Sequence, residues 1–164
     1  MGITLLRHGA VPFRYQKRYL GHTDVGIDEA LYEVEKVEFL KQKKFDLVYC
    51  SALKRTAQTL EMIGFEPIKD CRLNEVIFKD EVELKNFAEL EKLDCYKKEY
   101  LNSFDLWYDF ICLESRAKFQ KRVNGFINEL PKDKEVLICT HWGVLRELTT
   151  KEFKYLESYE YKKS

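Results

Sequence analysis

The sequence predicts an α/β fold of three layers, with a mostly parallel central sheet between layers of helices. Three observations carry that expectation. The apolar runs Ile3 to Leu6, Phe45 to Cys50 and Val136 to Thr140 lack polar alternation and read as strands buried on both faces. Helix-patterned stretches separate them, the order expected when parallel strands are joined by crossovers. Each run also ends in polar, chemically capable residues: Arg7-His8, then Ser51 with Arg55, then His141. In open α/β sheets, ligands bind just outside the carboxyl ends of the strands.

Length and composition bound the rest. A chain of 164 residues with 45% apolar and 14% aromatic side chains is expected to form one domain, 1–164, with a real core. Twenty-eight basic residues balance twenty-eight acidic ones, so no global field recruits nucleic acid or an anionic membrane, and anion binding must be local. Five cysteines without a CxxC pair read as reduced thiols. No stretch approaches a membrane span or a signal peptide, so a soluble, cytoplasmic protein is expected.

In chain order, Val11 to Asp28 is a long polar and aromatic loop carrying Arg14, Lys17, Arg18, His22 and Asp24 beside the first strand end. Asp28 caps an expected helix to about Lys43, with Leu31, Val34, Val37 and Leu40 on its buried side. After the second strand, Ser51 caps a helix marked by Leu53, Ala57, Leu60 and the closing Gly64. Pro67, Ile68 and Cys71 to Leu73 suggest a third, shorter strand leading to Asn74-Glu75. An irregular helical cap, with Trp107, Tyr108 and Phe110 clustered mainly for packing, is expected over 82–113. Glu114 or Ser115 opens a well-patterned helix through Phe119, Val123, Phe126, Ile127 and Leu130 that Pro131 ends. A helix through Val144, Leu145 and Leu148 follows His141. The tail with Tyr155, Tyr159 and Tyr161 reads equally as an edge strand or a frayed helix.

Parallel strands bring the three polar ends together, giving a pocket with two imidazoles and two guanidiniums. A guanidinium fork matches a phosphate in shape. At an effective dielectric near 20, a charge pair at contact is worth about 4 kcal/mol before desolvation, so the pair favours a phosphate over a neutral ligand. Neighbouring cations also lower an imidazole's pKa and leave His8 the lone pair a nucleophile needs. Gly9 lacks a Cβ where a ligand could approach the backbone.

Taken together, the motifs resemble the histidine phosphatase superfamily, also called phosphoglycerate mutase-like. The resemblance rests on Leu6-Arg7-His8-Gly9, Ser51 to Thr59, Leu73-Asn74-Glu75 and Thr140 to Arg146, with weaker signposts at Gly21-His22-Thr23-Asp24 and at Glu114-Ser115 followed by Arg122-Val123. These pieces stand in the family's order across nearly the whole chain. The resemblance implies a phosphoglycerate mutase-like fold and phosphomonoester hydrolysis without metal or other cofactor. By it, His8 is the nucleophile, Arg7, Arg55 and His141 hold phosphate oxygens, and Glu75 is the general acid; Gly9, His22 and Trp142 join the substrate site, where Arg14, in place of the Asn of many members, is expected to add a third cation. Its partner would be a small phosphorylated substrate, and the loop Tyr19 to Asp24 is similar to that of α-ribazole phosphatase-like enzymes. A phosphohistidine-protein phosphatase and a phosphate-binding module without turnover are the alternatives, with a mutase behind them; oligomeric state is left open. The chain departs from the family at Val11, at Arg14 and over Val76 to Glu81, where a glycine and Trp-Glu-Gly are missing. Asp80 and Glu81 therefore stand as alternative acids.

Overall fold

The computed structural model describes residues 2–162. Its sheet has five strands in the order β3-β2-β4-β1-β5. β1 is Ile3–Arg7, β2 Leu47–Cys50, β3 Ile68–Lys69, β4 Val136–Thr140 and β5 Ser158–Tyr161. The first four run parallel, and β5 closes the edge antiparallel to β1. The tail's ambiguity is thereby resolved as an edge strand. β1 and β4 lie in register from Ile3 beside Val136 to Arg7 beside Thr140, while Cys50 of β2 pairs Cys139. His8, Ser51 and His141 therefore leave the sheet at one edge and at one depth.

Strand side chains alternate between two cores, which is why β1 and β4 are apolar apart from Thr4, Arg7 and Thr140. Ile3, Leu5, Val136 and Ile138 pack with Phe126, Ile127, Leu130 and Leu145 on one face. Leu6, Leu137 and Cys139 pack with Val37, Leu40, Ala57 and Leu60 on the other. The helices behind these cores are α1 (Lys54–Ile63), α4 (Arg116–Glu129) and α5 (Trp142–Thr149). Gly64 ends α1 in the left-handed region, at φ 101°, a conformation that favours glycine. Ser115 caps α4 through Lys118 N–H. The cap region holds two short helices, α2 (Phe87–Leu90) and α3 (Phe104–Ile111), and a third core in which Val82, Leu90, Tyr108 and Phe110 meet Phe119 and Val123 of α4. No helix of the described residues is long and apolar enough to cross a membrane, and all five cysteines are free thiols.

Three local expectations are corrected. The segment expected as one helix from Asp28 to Lys43 consists of three 3₁₀ pieces, Glu29–Leu31, Val34–Lys36 and Glu38–Gln42. Leu31, Val34, Val37 and Leu40 recur every third residue, which is the 3₁₀ period rather than the α period. Asp28 does cap, by accepting from Ala30 N–H, while Val34 is exposed. Ser51 does not cap α1, which starts three residues later with Leu53 as its flanking residue; its hydroxyl serves the site instead. Cys71–Leu73 is a 3₁₀ turn capped by Asp70, so the third strand is two residues long.

Candidate active site

β1 delivers Arg7 and His8 to the floor of a cavity of about 710 Å³. His8 Nδ1 lies 2.7 Å from the Gly9 carbonyl. A carbonyl only accepts, so Nδ1 carries the proton and Nε2 keeps the lone pair. Burial first, then the charges of Arg55 and Arg7, push the His8 pKa well below the ordinary imidazole value. His8 is therefore a neutral imidazole with an available nitrogen.

Arg7 donates to the Phe153 carbonyl and lies over the Tyr155 ring, 4.2 Å from its centroid. Its Nε is buried without a hydrogen-bond partner. A buried, unpaired cationic donor is costly unless a ligand completes it. It belongs to a side chain that lines the cavity beside the nucleophile.

Arg55 and His141 lie beneath this floor instead of on the cavity wall. Arg55 is fully buried, donating to the carbonyls of Thr23 and Gly21 and, through Nε, to His141 Nδ1 at 3.2 Å. With Nδ1 accepting, His141 carries its proton on Nε2 and donates to Ser51 Oγ at 2.7 Å. Ser51 Oγ in turn meets Thr56 Oγ1 at 2.9 Å. The two imidazoles pack edge to face, 5.2 Å between centroids. Burial, followed by Arg55, pushes His141 well below the ordinary value too. Arg55 thus sets its charge near His8 while its side chain does not line the cavity, where the sequence expected it to face the pocket.

Glu75 lines the same cavity, beside the turn that follows β4. It is buried, with Oε1 accepting from Val76 N–H (2.9 Å) and Oε2 from Gly143 N–H (3.1 Å). Burial raises its pKa, outweighing the two backbone donors and the charges of Arg55 and Arg7, which lower it. That is the direction a general acid requires. Gly143 makes the contact possible, because a Cβ there would fall 2.2 Å from Glu75 Oε1. Arg122 holds the acid's backbone from behind: it pairs both oxygens of Glu114 and donates to the carbonyls of Arg72, Asn74 and Glu75. Glu75 is thus fixed on the cavity wall without the missing Trp-Glu-Gly, and the alternatives Asp80 and Glu81 are off the cavity.

The substrate-side expectations fare unevenly. Trp142 lines the cavity and its indole N–H donates to Glu152. His22 is off the wall; its Nε2 donates to the Glu75 carbonyl at 2.7 Å, so it braces the acid. Arg14 is exposed over the Tyr15 ring, and Arg18 lines the cavity instead, tied to Glu89 and the Leu84 carbonyl. A Cβ on Gly9 would meet Tyr32 and Ile27, so its smallness serves packing and not ligand approach. Trp107 and Tyr108 line the cavity, while Phe110 stacks on Tyr100 in the cap core. Sequence reasoning overlooked Arg18 and Tyr155, neither of which carries a motif signal, and the clamp of Gly143 on Glu75.

Comparison with known proteins agrees with this geometry. PhoE of Bacillus subtilis strain 168, an uncharacterized phosphatase, is 25% identical over 155 residues, covering 90% of this chain and 75% of that protein. The structure of TTHB049 from Thermus thermophilus superimposes with a TM-score of 0.72 at 27% identity, covering 96% of this chain and 91% of its own. A candidate alpha-ribazole-5'-P phosphatase from Escherichia coli K-12 follows with a TM-score of 0.69 at 26% identity, covering 88% and 75%. The family model of the histidine phosphatase superfamily, branch 1, matches residues 3–157, from the first strand through the turn that carries Tyr155. With the match spanning His8, Glu75 and the cap alike, the chain belongs to the histidine phosphatase superfamily (branch 1) and is a phosphatase.

Proposed function

We propose that this phosphatase hydrolyses a small phosphomonoester through a phosphohistidine at His8, with Glu75 as acid and then base. One observation carries the reading: a neutral His8 with a free Nε2, an unpaired Arg7 Nε and a buried, pKa-raised Glu75 share one cavity. Nε2 attacks phosphorus in line, forming the P–N bond as the ester P–O bond breaks. The Glu75 proton passes to the departing alkoxide, which leaves poorly without it. Glu75, now a carboxylate, accepts a proton from water whose oxygen attacks phosphorus; the P–N bond breaks and neutral His8 returns. Arg7, with Arg55 beneath, supplies positive charge to the transferring group, the electrostatic task a metal performs elsewhere.

A walled cavity with a cap speaks for a small substrate over a phosphohistidine protein, and the acid's placement speaks for turnover over a binding module. Aromatic walls at Tyr19, Trp107 and Tyr108 suit a planar group, and the similarity to the Escherichia coli protein supports an α-ribazole phosphate-like monoester. The test is turnover of p-nitrophenyl phosphate in excess chelator, with acid-labile phosphoryl capture, in wild type and His8→Ala. Chelator-resistant turnover and labelling that both vanish in His8→Ala are expected. Wild-type protein that neither turns over nor labels would overturn the reading.

A further inference from the structure

Part of the cavity wall is not used by the hydrolytic chemistry. There Arg116, the first residue of α4, and Arg146, on α5, both line the cavity. Both guanidiniums lie against one ring, that of Phe104, at 4.9 and 5.4 Å from its centroid. Arg146 also lies 5.0 Å from the Trp142 ring. Arg116 Nε is buried without a hydrogen-bond partner, and Glu147 Oε2 is 4.0 Å away.

The closer carboxylates are largely exposed, although Glu152 also accepts from the Trp142 indole N–H and the less exposed Glu147 lines the same cavity. Asp105 on Arg116 is 72% exposed and Glu152 on Arg146 is 71% exposed. Such exposed pairs contribute little, so an anion arriving from the cavity side can share or replace them at small cost. Trp107, Ile111 and Phe119 add apolar wall to the same cavity.

From these placements we infer that Arg116 and Arg146 form a second anion subsite on the cavity wall. The substrate class this selects shares the planar middle of an α-ribazole phosphate-like monoester and adds what that ester lacks, a carboxylate or second phosphate at the far end. The inference rests on the reading of the floor as the phosphoryl site. Two guanidinium forks, each able to take an anion bidentately, hold the far end while Arg7 holds the near one. Anchoring at both ends fixes the ester's orientation over His8, where a single anchor leaves it free to pivot.

The test is equilibrium binding of ω-carboxyalkylphosphonates of increasing chain length, beside their methyl esters and a terminal bisphosphonate series. The P–C bond resists hydrolysis, so binding is read whether or not the protein turns over. In wild type, the acid should bind about tenfold tighter than its ester at the best length, the size of one charge-assisted hydrogen bond. Arg116→Ala and Arg146→Ala should each bring that ratio toward one; because it is taken within each variant, a general loss of affinity cancels. The carboxylate and bisphosphonate arms show which anion the subsite prefers. A ratio near one at every length in wild type, or an undiminished ratio in both variants, would overturn the subsite. Turnover of p-nitrophenyl phosphate judges the phosphatase reading separately, since that ester carries no second anion to engage the subsite.

Discussion

On the floor of the cavity, polar groups are locked by directional bonds: Arg55 spans two loop carbonyls and His141, and His141 continues to Ser51 and Thr56. In the cap, the side chains facing the same cavity are held by rings on rings, as Trp107 is by Tyr19, Phe87 and Phe110. The floor rests on five paired strands; the cap rests on one turn of α2, two turns of α3 and 3₁₀ pieces, with Phe87, Leu101 and Leu106 exposed. Directional networks tolerate little displacement, whereas aromatic packing can be rearranged with modest loss. The difference teaches where this molecule keeps chemistry and where it keeps recognition.

The sharpest way to break the floor is Gly143→Ala. Its methyl group would displace the Glu75 carboxyl, so kcat on alkyl phosphates should fall about 10²–10³-fold, the range of a lost general acid. p-Nitrophenyl phosphate, whose leaving group needs little protonation, should lose much less. Equal losses on both substrates would mean that the methyl disturbs more than the acid.

Acidification should also strike the floor first. His8 and His141 are buried and neutral, with folded pKa values below the ordinary 6.5. Between those values and 6.5 the unfolded chain binds more protons than the folded one, so stability rises with pH across that window and is lost as pH falls through it. Glu75 has the opposite sign: its pKa is raised above 4.5, so its contribution is present below 4.5 and is lost as pH rises through the folded value. Thermal melts should show Tm dropping on acidification below about pH 6.5, with a shallower drop in His141→Gln. An unchanged slope in that variant would assign the acid sensitivity elsewhere. The sign for activity is parallel: kcat/KM should keep its ascending limb below the ordinary imidazole range.

Trp107→Ala tests the cap. Loss of one ring from the wall should raise KM for a bulky aromatic phosphate by several-fold, about 1 kcal/mol, and raise it less for a methyl-sized ester. A uniform effect on both esters would make the ring structural. The smallest effect is expected at Tyr155, whose ring covers Arg7. Tyr155→Ala should raise KM a few-fold, about 0.5–1 kcal/mol, while Tyr155→Phe, which keeps the ring face, should restore it.

The floor is legible in sequence because its residues sit where strands end, and an apolar run followed by Arg-His or by His declares that position. Glu75 is legible as a type, but its setting is not: the clamp of Gly143 joins distant segments, and the bracing by His22 and Arg122 acts through carbonyl groups that every residue carries. The segment 28–43 reads as an α-helix when apolar recurrence is weighed without its period, although the spacing of three is visible. Position on α1 points Arg55 into the pocket, whereas the loop carbonyls of Gly21 and Thr23 that capture it follow no local pattern. In the cap, where rings pack irregularly, sequence identifies the elements and not their facing.

The placement of β1 between β4 and β5 bears on how the molecule comes into being. β1, which leads into His8, is the first strand of the described residues, yet both of its neighbours come far later in the chain, at Val136–Thr140 and Ser158–Tyr161. Pairing it closes a loop of nearly the full chain length, a contact that rewards folding only late and makes for slow folding. Until then Arg7 and His8 sit on an unpaired apolar ribbon, with neither the cationic neighbour at Arg55 nor the shelter that sets their chemistry. Emergence of β4 and β5 thus assembles the site as well as the sheet, and a chain halted before β4 has Arg7, His8 and Glu75 without the strand that seats them.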